Sequence, residues 1–390
     1  MLLMIFQDWG TEMIKRILLA SAMVMTPLFA QAQTIDELQA QIDILAKEIE
    51  TLKQGGGASA ASKVHIGGYG EVHYNNYREH DNDDQIDAHR FVLYFGYDFS
   101  DKVRFASEFE LEHALAGDGK PGEVELEQAY IEVDTSANSK LKTGIFLVPV
   151  GIINETHEPN TFYGVERNQL ESRIIPATWW EAGVMFSQSL GGGFSYDIAA
   201  HSGLNMWDDG SMAANAIRSG RQKVAEAVAN KGAFTGRVRY AGIPGLDIAA
   251  SVQSQQDVFQ NLGAEPVSAV LTEAHASYSI AGATFLVQHA AWDFDDTIGV
   301  EAAEDQNGLL AEASYKFNDK VGVFVRQTDV DYNAAGSDAE NRERTDVTAG
   351  VNYWIVPEVV IKADYNDVSY DAGGDDKADD AINLGIGWSF

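Results

Sequence analysis

The segment AINLGIGWSF, residues 381–390, carries the pattern that decides the fold. Large apolar side chains occupy every second position, and small or polar side chains occupy the positions between them. The apolar positions are Ile382, Leu384, Ile386, Trp388 and Phe390. Because successive side chains of a β-strand point to opposite faces, this period of two predicts a strand with one apolar and one polar face.

The same alternation recurs upstream, beginning at Val64, in segments of roughly ten residues, the usual length of a strand that crosses a bilayer. Short turns and long polar connections alternate between these segments. The short turns are 98–102, 135–139, 190–193, 242–245, 281–282, 318–320 and 356–358. The long connections are 78–85, 113–123, 148–178, 204–231, 256–269, 294–307, 333–344 and 371–380. Seven short and eight long connections join sixteen strands.

An even number of strands with one short-turn rim and one long-loop rim is typical of a transmembrane barrel. The sequence therefore predicts an all-β fold, a 16-stranded antiparallel β-barrel over residues 64–390. A soluble β-sandwich would explain the alternation, but it would not explain the regular asymmetry of the connections. Closure also removes the exposed sheet edges that an open sheet of this length would leave.

Composition narrows the possible functions of the 390-residue chain. Its 59 acidic and 27 basic residues give a formal net charge of −32, which argues against a general nucleic-acid binder. The absence of cysteine excludes disulfide scaffolds, thiolate zinc sites and cysteine nucleophiles. The sequence contains no metalloprotease, nucleophile-elbow or phosphate-loop motif in a suitable context, so we predict neither an enzyme nor a cofactor.

The N-terminal residues indicate export. Residues 13–32, MIKRILLASAMVMTPLFAQA, contain a basic start, an apolar stretch and an Ala-Gln-Ala cleavage site, as a signal peptide does. We therefore predict a signal peptide over residues 1–32, with the true start at Met13. A membrane anchor is the alternative, but an apolar stretch of about 13 residues is too short to span a bilayer.

Residues 33–54 predict a short α-helical coiled coil. Its heptad seam consists of Ile35, Leu38, Ile42, Leu45, Ile49 and Leu52. Three heptads are marginal alone, so association with copies of the chain is expected, although an amphipathic helix packed on its own domain would show a similar pattern. The glycine- and serine-rich residues 55–63 predict a flexible linker.

The segment GIFLVPVGIINETHEPNTFYGVERNQLESRIIPATWWEAGV, residues 144–184, and the terminal Trp388-Ser389-Phe390 resemble Gram-negative outer-membrane porins, specifically the phosphate-selective porin O and P family. The resemblance implies a homotrimeric channel in the outer membrane, surrounded by lipid and lipopolysaccharide, with the coil in the periplasm. It implies passive diffusion of small hydrophilic solutes and ions, including phosphate or other small anions. It also implies that Phe390 is recognised by the barrel-assembly machinery.

The resemblance further implies that the third long connection, residues 148–178, folds into the lumen and narrows it. Its candidate residues are Glu155, His157, Glu158, Glu166, Arg167 and Arg173. The fourth connection adds Arg218, Arg221 and Lys223, which could attract anions or contact lipopolysaccharide phosphates. Strand parity predicts that Arg90, Arg104, Arg237, Arg239 and Arg326 face the lumen. Alternatively, the third connection contacts lipid headgroups, and the inward charges form salt-bridge networks.

Acidic residues cluster in the long connections, at 81–84, 208–209, 293–296 and 375–380. These clusters lack the glycine and the closing glutamate of a calcium loop, so we interpret them as solvated and predict no metal site. A structural or adhesive surface protein whose acidic loops bind cations is the alternative function. Few lysines face the lumen, so the sequence leaves the ion preference open.

Overall fold

A computed structural model describes residues 63–78, 84–208, 211–212, 216–262, 265–295, 306–331, 343–370 and 380–390. The predicted signal peptide, the predicted coiled coil and residues 55–62 of the predicted linker lie outside the described residues, as do most of the acidic positions at 81–84 and 375–380.

Sixteen strands form a closed antiparallel barrel, in which the first strand pairs with the last. The first seven barrel strands are β1 (Val64–Tyr77), β2 (Gln85–Ser100), β3 (Val103–Glu112), β4 (Val124–Ser136), β5 (Ser139–Leu147), β6 (Trp180–Gly191) and β7 (Phe194–His201). The other nine are β10 (Ala233–Tyr240), β11 (Leu246–Gln255), β12 (Ala269–Ile280), β13 (Ala283–Phe294), β14 (Gln306–Lys316), β15 (Val321–Asp331), β16 (Glu343–Val356), β17 (Val359–Tyr370) and β18 (Ala381–Ser389). The predicted 16-stranded antiparallel barrel is confirmed.

The remaining regular elements are short. A hairpin, β8 (Trp207–Asp208) and β9 (Ser211–Met212), and a one-turn helix, Ala216–Ser219, lie in the fourth long connection. A single π-helical turn, Leu170–Ile174, lies in the third. Among the described residues, no helix combines the length and the apolar character needed to cross a membrane.

The barrel closes where the first strand meets the last residue. The N–H of Gly68 donates to the carbonyl oxygen of Phe390 (3.0 Å), and the N–H of Phe390 donates back to the carbonyl of Gly68 (2.9 Å). A Cβ atom at Gly68 would lie 2.2 Å from the carbonyl oxygen of Val92 on β2. Glycine is therefore required sterically at this point of the seam, because backbone atoms cannot yield that much space.

The two faces of the barrel differ as the alternation predicts. On β2, the outward side chains of Phe91, Leu93 and Phe95 are exposed, whereas Arg90 is buried on the inner face. Aromatic pairs lie outside near the short turns: Tyr97–Phe99, Phe194–Tyr240 and Tyr315–Phe317. An apolar band with aromatic residues at its rim suits a barrel surrounded by hydrocarbon.

The interior contains a substantial apolar core, which the alternation did not predict. The third loop (residues 148–179) and the fourth loop (residues 202–232) pack against the inner face of β12–β15. The shared core includes Leu170, Ile174, Trp179, Leu204, Leu271, Trp292 and Leu310, each at most 1% exposed. One part of the lumen is thus filled like the interior of a globular domain.

Candidate functional site

The two ends of the third loop are held together by Asn154. Its Nδ2 donates to the carbonyl oxygens of Val148 (2.7 Å) and Trp179 (3.0 Å), and its Oδ1 accepts the N–H of Trp179 (2.6 Å). Asn154 is completely buried. The loop therefore leaves and rejoins the wall, between β5 and β6, at one fixed point.

The first half of the third loop is bound to β2 and β3. Nη2 of Arg90 donates to the carbonyl of His157 (2.5 Å), and Nε2 of His157 lies 3.2 Å from Oε1 of Glu108. The hydroxyl of Tyr94 donates to Glu158 (3.1 Å). Burial lowers the pKa of His157, but the adjacent carboxylates of Glu108 and Glu127 outweigh burial and raise the pKa to about 9. A protonated His157 thus ties the loop to the wall.

The middle of the third loop contacts strands β1, β15 and β17. Nη2 of Arg326, on β15, donates to the carbonyl of Tyr163 (2.8 Å), and Nζ of Lys362, on β17, donates to the carbonyl of Gly164 (2.7 Å). Oε1 of Glu166 lies 3.0 Å from Nδ1 of His73 and accepts Nδ2 of Asn75 (3.0 Å), both on β1. The loop therefore extends across the interior of the barrel.

The last part of the third loop docks on β13. Nε1 of Trp292 donates to the carbonyl of Ile174 (2.8 Å), and Nε2 of Gln288 donates to Oε1 of Glu171 (2.7 Å). Leu170 and Ile174 of the π-helical turn are fully buried in the apolar core. These contacts fix the positions of the arginines that lie on the same part of the loop.

Four arginines of the third and fourth loops form one cluster, the arginine cluster: Arg167, Arg173, Arg218 and Arg221. Nη1 of Arg218 donates to the carbonyls of Ser172 (3.2 Å) and Ala177 (2.7 Å). Burial, together with the positive charges of Arg221, Arg167 and Arg173, lowers the pKa of Arg218 to about 9. Like charges are thus held close together by the packing of two loops.

Within the part of the chain that the structure describes, Arg167, Arg218 and Arg221 have no carboxylate oxygen within 4.0 Å. Arg221 donates to the carbonyls of Arg218 (3.1 Å) and Thr178, and its guanidinium lies 5.9 Å from the centre of the Trp180 ring. Carbonyl oxygens satisfy the N–H groups without neutralising the charge. The cluster is therefore a fixed positive region.

The arginine cluster faces a cavity of about 470 Å³ between the third loop and the wall of β1 and β15–β18. Arg167, Arg173 and Arg218 line one side, and Arg326 and Arg344 lie on the wall strands β15 and β16. The lining also includes Glu166, Asp346 and Asp364. The cavity is polar, and it is large enough for small hydrated solutes.

The amino-acid sequence matches a known protein family over most of its length. A sequence model described as Gram-negative porin matches residues 20–373. The chain belongs to the Gram-negative porin family. It is therefore an outer-membrane channel protein. The more specific resemblance to phosphate-selective porins O and P stays a prediction.

The chain is also similar to one sequence relative and to several solved structures. An uncharacterized protein of Aquifex aeolicus (strain VF5) is 31% identical over 367 residues, covering 85% of this chain and 82% of the relative. The channel DcaP of Acinetobacter baumannii superposes with a TM-score of 0.59 at 14% identity, covering 86% of this chain and 99% of DcaP. An anion-selective porin of Comamonas acidovorans gives 0.58 at 14% identity, covering 85% and 100%. At such low identity, the two structures support the fold alone.

Most other predicted site residues of the porin are paired with carboxylates. The pairs are Arg90–Glu71 (2.6 Å), Arg104–Asp134 (2.5 Å), Arg326–Glu312 (3.3 Å), Arg237–Asp197 (2.8 Å), Arg237–Glu155, Arg239–Asp247 and Lys223 with Glu123 and Glu125. Arg104, Arg237 and Arg239 lie towards the short-turn rim, away from the arginine cluster. The structure thus brings together four of the predicted cations and leaves the others in wall networks.

The porin also has an acidic wall, a group of neighbouring carboxylates that was not predicted from the sequence. Carboxylate oxygens of Glu110, Glu112 and Glu125, on β3 and β4, lie within 4.8 Å of one another. Burial lowers the pKa of Arg221, whereas the carboxylate of Glu125 acts in the opposite direction. The positively charged arginine cluster therefore lies close enough to the negatively charged wall of β3 and β4 for the two to interact.

Arg344 was not predicted to be a site residue, because it falls within the predicted connection 333–344. In the structure, β16 begins at Glu343, and Arg344 donates through Nε to Oδ1 of Asp346 (2.6 Å) on the same face. The signal was present in the sequence, since Arg344 and Asp346 share the parity of an inward face. Sequence periodicity predicts the ends of strands less accurately than their existence.

Proposed function

We propose that this porin allows passive diffusion of small hydrophilic solutes, that the third loop narrows its lumen, and that it favours anions. The observation that carries the proposal is the arginine cluster, in which three guanidinium groups lack a carboxylate partner among the described residues. Fixed charges at a narrow point bias the ions that pass.

The narrowing role is supported by the course of the third loop. It is bonded to β1 and β2 on one side and to β13, β15 and β17 on others, so a solute must pass beside it. The cavity of about 470 Å³ next to the loop is the passage that we propose for permeant solutes. Its size favours small ions and metabolites over folded polypeptides.

We base the proposed anion preference on the position of the arginines beside the cavity and not on the net charge of the chain. The chain carries a net charge of −32, but the cavity is lined by Arg167, Arg173 and Arg218. Guanidinium groups bind carboxylates and phosphates in a planar two-point geometry, so phosphate and small carboxylates are the anions that we propose. The acidic wall of β3 and β4 lies close to the arginine cluster and attracts cations, so the anion preference should be moderate.

We further propose a homotrimer in the outer membrane, with the predicted coil in the periplasm and lipopolysaccharide around the long-loop rim. Recognition of Phe390 by the barrel-assembly machinery belongs to the same proposal. Its support is the family assignment and the terminal aromatic strand. A Vibrio cholerae OmpT of similar fold, with a TM-score of 0.53 at 14% identity, has been solved in a trimer form. Native mass measurement with and without residues 33–54 tests whether three chains assemble and whether the coil contributes.

Conductance of the purified protein in planar bilayers tests the function. A KCl gradient should give steps in groups of three and a reversal potential on the anion side, and added phosphate should reduce the current. A reversal potential near zero or on the cation side would refute the anion preference while leaving a channel. A folded barrel that does not conduct would refute the channel and favour a structural or adhesive role.

A further inference from the structure

Three side chains meet at the long-loop end of β2 and β3: Asp87, His89 and His113. Oδ2 of Asp87 lies 2.8 Å from Nδ1 of His113 and 3.2 Å from Nδ1 of His89. One ligand atom from each residue lies within 4.8 Å of the others. Two imidazole nitrogens and one carboxylate oxygen thus converge on one small volume.

The barrel itself creates this arrangement. Asp87 and His89 lie at a β-bulge of β2, because Arg90 pairs with Glu71 of β1 whereas Asp87 pairs with His73, which leaves one extra residue on β2 between the two pairs. His113 follows the last residue of β3, and its N–H donates to the carbonyl oxygen of His89 (3.2 Å). His113 has a positive φ of 50°, an uncommon conformation for a residue with a side chain. The three residues are therefore held by the sheet and not by a loose loop.

The geometry suits a zinc ion. Zinc binds histidine nitrogen and carboxylate oxygen at about 2.0–2.2 Å with tetrahedral angles, which places neighbouring ligand atoms roughly 3.3 Å apart. The two nitrogen-to-oxygen separations in the structure, 2.8 and 3.2 Å, are close to that value. Calcium and magnesium need several oxygen ligands, and one carboxylate does not supply them.

The group is accessible to solvent. The side chains of Asp87, His89 and His113 are 19%, 33% and 35% exposed. Three protein ligands leave a fourth position that water can fill, as in open zinc sites. His89 also lines the cavity beside the third loop, so an ion bound here would lie on the solute path.

A further residue orients the site. The ring of His73 stacks on His89 with centroids 4.6 Å apart and planes 13° apart. His73 is itself fixed by Glu71 (3.1 Å) and by Glu166 of the third loop (3.0 Å). The fixed ring of His73 therefore limits the rotation of the His89 ring.

We propose that Asp87, His89 and His113 bind one Zn²⁺ ion per chain at the long-loop rim, through Nδ1 of each histidine and an oxygen of Asp87. When the ion binds, each histidine carries its proton on Nε2, so that Nδ1 coordinates the ion in place of its hydrogen bond to Asp87. The proposal depends on the barrel geometry and is independent of the anion preference.

Titration calorimetry with ZnCl₂ tests the site, using detergent-solubilised protein without a histidine tag. Excess CaCl₂ occupies sites made only of oxygen ligands. The wild type should bind one Zn²⁺ per chain, and His89→Asn and His113→Asn should each weaken binding by at least tenfold. Zn²⁺ should also raise the temperature at which the wild-type barrel unfolds on a gel, because it binds the folded state.

His65→Asn is the matched control. His65 also pairs with an aspartate, Asp98 (2.7 Å), but it lies at the opposite rim and belongs to no group of three ligands among the described residues. His65→Asn should bind Zn²⁺ like the wild type. An absence of wild-type binding, unchanged binding in the His89 and His113 variants, or an equal loss in His65→Asn would each overturn the proposal.

Discussion

Neutralising Arg167 by the substitution Arg167→Gln should reduce the anion preference of the channel. Arg167 lines the cavity, and no hydrogen bond or ion pair joins its side chain to another of the described residues. The substitution therefore removes a charge without removing a packing anchor. Arg218 and Arg221 are less suitable for this test, because their hydrogen bonds hold the third loop.

The magnitude follows from Coulomb's law. A monovalent anion that passes about 6 Å from the guanidinium is stabilised by about 0.7 kcal/mol at a dielectric constant of about 80. A Debye length of about 10 Å at 0.1 M salt reduces this to about 0.4 kcal/mol. That energy changes the local anion concentration about twofold and the cation concentration about twofold in the opposite direction. The anion-to-cation permeability ratio should therefore fall about fourfold.

Reversal potentials of the two proteins in a KCl gradient near 0.1 M measure this ratio. At 1 M salt, the Debye length is about 3 Å, and the difference between variant and wild type should almost disappear. Arg239→Gln is the matched control, because it changes net charge equally but affects an exposed arginine paired with Asp247 (2.8 Å). Equal effects of both substitutions, or an unchanged ratio in Arg167→Gln, would refute local control by the arginine cluster.

Three stability predictions can be followed by the temperature at which the barrel changes mobility on a gel. Asn154→Ala removes three buried hydrogen bonds and should cost about 1–3 kcal/mol; an unchanged transition would contradict the role of Asn154 at the loop ends. The folded barrel raises the pKa of His157 from 6.5 to about 9, so the protonated side chain stabilises the fold fully below about pH 6.5 and this stabilisation is lost as the pH rises through 9. Between pH 7 and 10, the transition temperature of the wild type should therefore fall more than that of His157→Gln. Gly68→Val should impair closure, because its Cβ would lie 2.2 Å from the carbonyl of Val92, whereas Gly236→Val, with no atom within 4 Å, should not; equal yields of folded barrel would contradict this.

The barrel could be predicted because its wall obeys one rule over many strands. A period of two, repeated between short and long connections, specifies the number of strands and the face that each side chain occupies. The closing strand, with Trp388 and the terminal Phe390, shows this rule most clearly. In the predicted wall, the structure differs from the prediction at the end of a strand, as at Arg344.

The filled part of the lumen could not be predicted in this way. Leu271, Trp292 and Leu310 lie on inward faces, where the alternation predicts polar side chains, because the third loop covers them. Which wall a loop covers depends on tertiary packing, and local sequence carries no signal for it. The arginine cluster was predicted as a set of candidates, but its separation from the paired arginines of the wall depends on the same packing.

The anchoring of the third loop limits how this channel could open and close. If the loop moved as a hinged gate, it would break its bonds to Arg90, Lys362 and Trp292 together and expose apolar side chains such as Ile174 to water. Each buried bond contributes roughly 0.5–1.5 kcal/mol, and each apolar side chain roughly 1.5–3 kcal/mol. We therefore expect the loop to act as a rigid filter, so that any voltage-dependent closure must come from rearrangements elsewhere in the protein.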